Sequence, residues 1–318
     1  MISYVLAFLA GLVNATGNVL NRKAARDEPS QLQFRLRLFK DLAHRPAWLA
    51  AVGMMIISFA LASAALGTGQ LASVQLVVIL ELPMTIIGGS LLFGYRPRPR
   101  DWAAIAAMTL GVIALLALLD PQPGPARRIP ALLWILGSAV NVGAIIAATV
   151  AGRAHPNPAT KACLLGIAAG LSYGLTAAYT KGFADLFSSG GIAAVLSSWE
   201  FYATATSGVA AAFLLENAYQ AGPLTAAQPG ITLVDPVIST LWGVVVFGEQ
   251  VSRGALLAFT PIPLLAVGAG VFVLSRSPIL HVTAGKPPKS GSGRGRQADD
   301  TGASQLRGRA ARRAGGSS

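Results

Sequence analysis

The 318-residue chain has a single cysteine, Cys163, and three histidines, His44, His155 and His281, far apart in sequence. One cysteine excludes an internal disulfide framework, and the scattered histidines leave no cysteine–histidine metal cluster. No GxxxxGK[ST] run occurs, so the chain does not itself bind ATP through a P-loop. No nucleophile–base pairing is visible either, so neither an enzyme nor a bound cofactor is expected.

Charge is scarce. Only 12% of residues are charged, with 13 acids against 25 lysines and arginines, for a net charge of +12. Nine of the basic residues follow Leu274, most within a low-complexity polar tail, 277–318, that contains GKPPKSGSGRGRQ and RGRAARRAGG. Such a segment cannot bury a core, and it is expected to be a disordered cytoplasmic tail resting on anionic lipid. No aromatic residue interleaves with its arginines, so nucleic acid is not expected as a partner.

What remains is apolar: 53% of residues are hydrophobic and the mean hydropathy is +0.57. This is the composition of a multi-span membrane protein. Windows of about 18 to 25 mostly apolar residues give nine candidate spans, at 2–20, 47–66, 71–94, 101–119, 130–151, 161–181, 192–215, 223–247 and 254–275. No positive charge precedes the first of these, and Arg22, Lys23 and Arg26 follow it. That flank implies an uncleaved span with its N-terminus outside. Alternate loops, beginning with 21–46 and ending with the tail, hold twenty-one of the twenty-five lysines and arginines. The expectation is therefore N-terminus out and C-terminus in.

The stretch at 224–250, LTAAQPGITLVDPVISTLWGVVVFGEQ, is long enough to span, yet it carries Pro229, Gly230, Pro236 and an acid, Asp235, near its middle. Proline removes a backbone donor and a carboxylate at membrane depth is costly, so a functional helix break is expected here. The pattern occurs twice. A shift of 153 positions pairs Leu71 with Leu224, Gln75 with Gln228, Leu80 with Leu233 and Pro83 with Pro236, with Glu81 one position before the partner of Asp235. A shift of 159 lays Ala7, Gly11 and Ala15 on Gly166, Gly170 and Gly174, and Arg22 on Lys181. Matches in one order at nearly one spacing indicate an internal repeat.

A five-span repeat unit is odd, so its two copies cross the membrane in opposite directions, the inverted-repeat topology characteristic of secondary transporters. The expected fold is all-α, with nine transmembrane helices in which helices 1–4 repeat as 6–9. The expected organisation is a first repeat at 1–119, a proline-rich linker at 120–129, a second repeat of five spans at 130–276, and the tail.

Several motifs resemble the drug/metabolite transporter (EamA-like) superfamily, and within it the nine-span branch of NIPA-like magnesium transporters. They are Asn21-Arg22-Lys23 after the first span, Tyr179-Thr180-Lys181-Gly182, the run from Asn217 to Gly222, the mid-span Pro83 and Pro236, Phe247-Gly248-Glu249, and the glycines Gly111, Gly268 and Gly270. The resemblance covers residues 2–275. In the first half the superfamily's Gly-Glu step is replaced by Gly94-Tyr95-Arg96. The resemblance implies translocation by alternating access.

The candidate site residues are acids and amides that lipid cannot satisfy. Glu81 and Asp235 lie beside prolines in repeat-related helices. Glu200 lies about a third of the way into the seventh span, and Asn14 and Asn18 share a face of the first. Ser172, Thr176 and Tyr179 could line a cavity with hydroxyls, and Tyr173, Tyr179, Trp199 and Tyr202 could wall an organic solute. Lys181 is expected to snorkel to the surface, and Trp102, Trp134 and Trp242 to pack or lie at the interface.

The expected function is secondary transport of a small metabolite or organic cation across the cell membrane. The alternatives are a magnesium transporter, in which Glu81 and Asp235 would hold the ion, and a non-transporting scaffold. The bilayer and the substrate are the expected partners, and a homodimer is compatible with the composition.

Overall fold

The computed structural model describes residues 1–26, 46–93, 97–124, 129–251 and 258–276. The basic tail, most of the first loop, and Gly94-Tyr95-Arg96 fall outside the described residues. Ten helices follow one another: α1 (Ile2–Arg26), α2 (Pro46–Thr68), α3 (Leu71–Val78), α4 (Glu81–Phe93), α5 (Pro99–Leu119), α6 (Ala131–Ala154), α7 (Pro158–Ser197), α8 (Trp199–Ala221), α9 (Leu224–Val245) and α10 (Pro261–Ser275). Among the described residues there is no β-strand, only an isolated bridge between Gln122 and Gln250.

Four segments are long and apolar enough to cross a membrane: Leu71–Leu91, Pro99–Leu119, Ala131–Ala154 and Pro158–Phe187. The surface is that of a membrane protein. Large apolar side chains point outward along most helices, among them Phe8, Ile57, Ile113, Val140, Val209, Phe213, Leu241 and Leu265. Helix α6 is the extreme case, with only 11% of its apolar window buried.

Helix starts are set by local chemistry. The Asn157 side chain accepts from the N–H groups of Ala159 (2.9 Å) and Thr160 (3.4 Å), with Pro158 in the first turn of α7, where its missing donor costs nothing. Ser198 caps α8 by accepting from Phe201 N–H at 3.3 Å. The Asp101 carboxylate accepts from Arg98 N–H at 3.0 Å and so closes the start of α5.

Helix breaks are expected at Pro83 in the first half and at Pro229, Gly230 and Pro236 in the second, and the structure breaks only in the first. Helix α3 stops at Val78 and α4 begins at Glu81, with three-residue bonds bridging the gap: Leu80 N–H to Val77 O at 3.0 Å and Leu82 N–H to Ile79 O at 3.4 Å. Pro83 has no N–H to give the Ile79 carbonyl, and the chain tightens there instead.

Helix α9, by contrast, runs unbroken through Pro229, Gly230 and Pro236, so these three are not helix breaks. Its backbone is held against α7 by close packing. A Cβ placed on Gly170 would lie 2.9 Å from the Gly230 carbonyl oxygen, and one on Gly174 would lie 3.2 Å from the Asp235 carbonyl oxygen. The glycine stripe of α7 therefore lets the two backbones nearly touch, which offsets the bonds that the prolines remove.

Helix α7 extends beyond the apolar window to a kink at Gly191 (φ 66°, ψ −161°), a short helical stretch continues to Ser197, and α8 starts only at Trp199. Within the 254–275 window the α-helix α10 spans Pro261–Ser275, and 252–257 fall outside the described residues.

Helix α7 packs on α6, α8 and α9, and α1 packs on α2, α3 and α4. Helix α5 packs on α10, and α3 on α9. In α1 the small stripe is used in the same way as in α7: Ala7 and Ala15 are buried, and a Cβ on Gly11 would face Met84 Sδ at 3.7 Å and Glu81 Cβ at 3.9 Å. The α5–α10 contact is reciprocal, with Gly111 against Val267 and Gly270 against Met108. One apolar cluster holds Leu71, Val74, Trp134, Leu175 and Trp242, and a second holds Ile86, Met108, Val112, Val267 and Leu274.

The glycine stripe yields a stability test. Gly170→Val forces a branched side chain into the α9 backbone and is expected to cost about 1 to 3 kcal/mol in thermal unfolding of detergent-purified protein. Gly143→Ala, on an α6 face with open space beyond it, should be neutral or stabilise by up to about 1 kcal/mol.

Candidate functional site

Asp235 sits at the twelfth of the 22 residues of α9, near mid-length of a helix about 33 Å long. Ser239 Oγ, a turn later, donates to its carboxylate at 3.1 Å. Glu81 opens α4 immediately after the break. Tyr173 of α7 precedes Gly174, where a Cβ would lie 3.2 Å from the Asp235 carbonyl oxygen. The helix register sets Glu81 and Asp235 at nearly the same depth. Ala72 N lies 3.4 Å from where a Cβ on Gly243 would stand, so α3 and α9 are in contact there. Seven residues inward from these, about 10 Å, are Ile79 and Pro236, which sets the break of α3 opposite the proline of α9.

A polar stripe on α9 continues the site. Tyr219 OH donates to Gln228 Oε1 at 3.1 Å, and Gln228 Nε2 donates to Thr232 Oγ1 at 3.3 Å. Gln228, Thr232, Asp235 and Ser239 fall at i, i+4, i+7 and i+11, one face of a helix. That spacing was present in the sequence and is the signal by which Gln228, Thr232 and Ser239 could have been found.

Of the other candidates, Asn14 is half-buried in α1, one turn from the Gly11 that faces Glu81. Asn18 continues that helix, and its side chain lies outside what is described. Glu200 does not join the pair. It is in the first turn of α8, not a third of the way into the helix, because α7 runs on to Ser197. A Cβ on Gly182 would lie 3.1 Å from Glu200 Cγ. Gly182 is eight residues, about 12 Å, along α7 from the Gly174 that faces Asp235.

The hydroxyls expected to line a cavity instead join helices. Ser172 Oγ donates to Ser207 O at 3.3 Å, Thr176 Oγ1 bonds Ser207 Oγ at 2.9 Å, and Tyr179 OH bonds Ser138 Oγ at 2.8 Å. Of the four aromatic candidates only Tyr173 lies near the acids. Tyr179 and Trp199 pack on Trp134, whose ring also meets Trp242 at 5.6 Å and Phe247 at 5.6 Å, while Tyr202 is 58% exposed. In the orientation that satisfies both ends of its amide, Asn141 accepts from Trp242 Nε1–H at 3.0 Å and donates to Leu171 O at 3.2 Å. Trp134 and Trp242 are thus packing residues, and Trp102 is half-exposed.

Lys181 does not snorkel. Its ammonium donates to Leu66 O (2.7 Å), Gly69 O (2.9 Å) and Asp185 Oδ1 (2.8 Å), and so caps the C-terminal end of α2. Three residues later in the chain, the start of α3 is capped by Glu249, whose carboxylate accepts from the N–H groups of Leu71 and, at 3.0 Å, Ala72. A cation at a helix C-terminus and an anion at a helix N-terminus both suit the helix dipole. Gly248, with φ 66°, turns the chain so that Glu249 can reach. Burial pushes the Glu249 carboxyl above the ordinary glutamate range, and the Ala72 and Leu71 N–H groups and Lys181 pull it back. A backbone pair seals the same end, Gln122 N–H to Gln250 O (2.8 Å) and Gln250 N–H to Gln122 O (3.1 Å).

Among the described residues, no three His, Cys, Asp or Glu side chains cluster as metal ligands. No protein-family model matches this chain, and no solved structure matches it. It is similar to an uncharacterized protein of Corynebacterium glutamicum, 27% identical over 255 residues that cover 79% of this chain and 86% of the relative.

The clamp can be tested by stability. Glu249→Ala leaves the Leu71 and Ala72 donors without their charged acceptor and should cost about 2 to 3 kcal/mol in thermal unfolding. Lys181→Met should cost a similar amount, and the double variant less than the sum, because both residues hold one turn.

Proposed function

We propose that the chain is a secondary transporter that moves a small solute, an organic cation or cationic metabolite, across the cell membrane by alternating access. The observation that carries this reading is the α3–α9 contact, whose register sets Glu81, at a helix break, at nearly the same depth as Asp235, beside a proline at mid-length of α9. Buried acids at membrane depth are costly unless used, and discontinuous or proline-bearing helices at mid-depth are where such carriers hold their substrates.

The reading includes nine spans in an inverted repeat of the drug/metabolite transporter type. Its support is a set of paired contacts. Gly11 faces Glu81 as Gly170 faces Val234, related by shifts of 159 and 153. Gly69 abuts Ser3 at the start of α1 as Gly222 abuts Pro158 at the start of α7. The α5–α10 contact maps onto itself under the shift of 159, Met108 to Val267 and Gly111 to Gly270, which is what a two-fold axis through the contact requires. The Lys181–Glu249 clamp then lies at the outer end of the bundle and bars that end, while Asp235 is half-buried.

A magnesium carrier is the second reading, favoured by two carboxylates with amide and hydroxyl oxygens nearby, since Mg²⁺ keeps its waters and needs few protein ligands. Tyr173 among the acids favours the organic cation, whose charge an aromatic face attracts.

Liposomes holding the purified protein and a trapped pH dye test both readings when challenged with a panel of organic cations, beside liposomes with a trapped magnesium dye. Cation entry coupled to proton exit, abolished by Glu81→Gln and by Asp235→Asn while both variants stay folded, is the expected result. A magnesium signal with no response to any organic cation would transfer the site to the second reading. Folded protein that moves neither would sink transport altogether and leave a scaffold.

A further inference from the structure

We propose that Gln75 belongs to the same site and that its side-chain carbonyl accepts a hydrogen bond from the transported solute, which therefore carries an N–H or O–H donor as well as positive charge. The inference rests on the reading of Glu81 and Asp235 as a cation site and adds to it a third contact and a requirement on the substrate.

Gln75 is 8% exposed, and its Oε1 has no hydrogen-bond partner. An amide oxygen buried without a donor is a cost to the fold, tolerated where something outside the chain supplies the donor. Its position is fixed by the α3–α9 contact. Ala72 lies against Gly243, and Gln75 follows one turn later on the same side of α3. One turn back from Gly243 on α9 is Ser239, the residue bonded to Asp235. Gln75 therefore faces α9 a turn from the acid pair, on the side toward the clamped end.

Helices α3, α4 and α9 contain no lysine, arginine or histidine. Three hydroxyl protons on α3 and α9 are committed elsewhere: Ser239 to Asp235, Thr240 to Pro236 O at 2.7 Å, and Ser73 to Gln70 O at 3.1 Å. Gln228 lies 153 positions on, at the matching place in the second half, and there Tyr219 satisfies the amide oxygen. The two glutamines occupy equivalent places, and only the one in the first half is left with an open acceptor. A solute seated between Glu81 and Asp235 with a donor directed toward the clamped end would close it.

The test uses detergent-purified full-length protein and two probes of similar size, benzylammonium, which carries N–H donors, and benzyltrimethylammonium, which carries none. Titration calorimetry gives the two affinities, and thermal unfolding without ligand gives the effect on the fold. Wild type should prefer benzylammonium by about fivefold or more, the worth of one hydrogen bond. Gln75→Met should reduce that preference by about fivefold while unfolding at the same or a higher temperature, because it removes an unsatisfied group. Gln75→Glu, which keeps an acceptor at the same reach, should retain it. A preference that Gln75→Met leaves unchanged would overturn the inference and leave the oxygen to an internal water. Probes that bind to wild type and fail with Asp235→Asn, but are indifferent to Gln75, would sink this inference alone. Failure of both probes to bind wild type would instead remove the acid-pair reading beneath it.

Discussion

The turn between α2 and α3 is gripped from both sides by charges from elsewhere in the chain, and much of the architecture follows from that grip. Lys181 holds the last carbonyls of α2, and Glu249 holds the first amides of α3. In lipid neither set of backbone groups could find water, so a helix hairpin near the membrane edge must be closed by the protein itself. The closure draws on α7 and on the segment after α9, and so ties the first 93 residues to the second half. With Ala72 anchored beside Gly243, the remainder of α3 runs alongside α9, and its break comes to rest beside Pro236.

That register explains why the acid pair exists as a pair. Glu81 and Asp235 are 154 positions apart in sequence, on helices joined through the clamped turn. The other acids lie in different surroundings: Glu200 beside Trp134, Glu249 on amides, Asp185 on Lys181. Carboxylates on α4 and α9, helices that themselves carry no lysine, arginine or histidine, are complementary to a cation, or to protons that take its place between loads. The packing around the pair is correspondingly close, since the glycine stripe of α7 brings that helix against the backbone of α9 at Gly230 and Asp235.

Much of this was legible from residue types. Apolar runs located the helices, the Gly166/Gly170/Gly174 spacing announced a close contact, and the matched prolines and acids singled out Glu81 and Asp235. Other features depended on long-range placement that no local pattern encodes. Proline alone suggested that α9 would break, but the break fell at Ile79 and Leu80, because α9 has a glycine-lined neighbour to hold its backbone. Lys181 looked like a helix end near water, since its window stopped there, whereas α7 continues to Ser197 and the ammonium meets carbonyls more than a hundred positions away. Glu200 looked like a third acid for the site only because α8 was expected to begin earlier than Trp199. Gln75 stood out in sequence only as a repeat match. Its open acceptor becomes visible only in the folded chain, where the side-chain oxygen is buried without a partner.

The central claim is that Glu81 and Asp235 form one solvent-reachable cation site within the bundle. Labelling with a hydrophobic carbodiimide, which reacts with protonated carboxyls inside membranes, followed by mass spectrometry of the digested protein, tests it most directly. The account predicts adducts on Glu81 and Asp235 that benzylammonium suppresses at both positions together. Adducts on only one of the two, or labelling at both that the cation leaves unchanged, would contradict it.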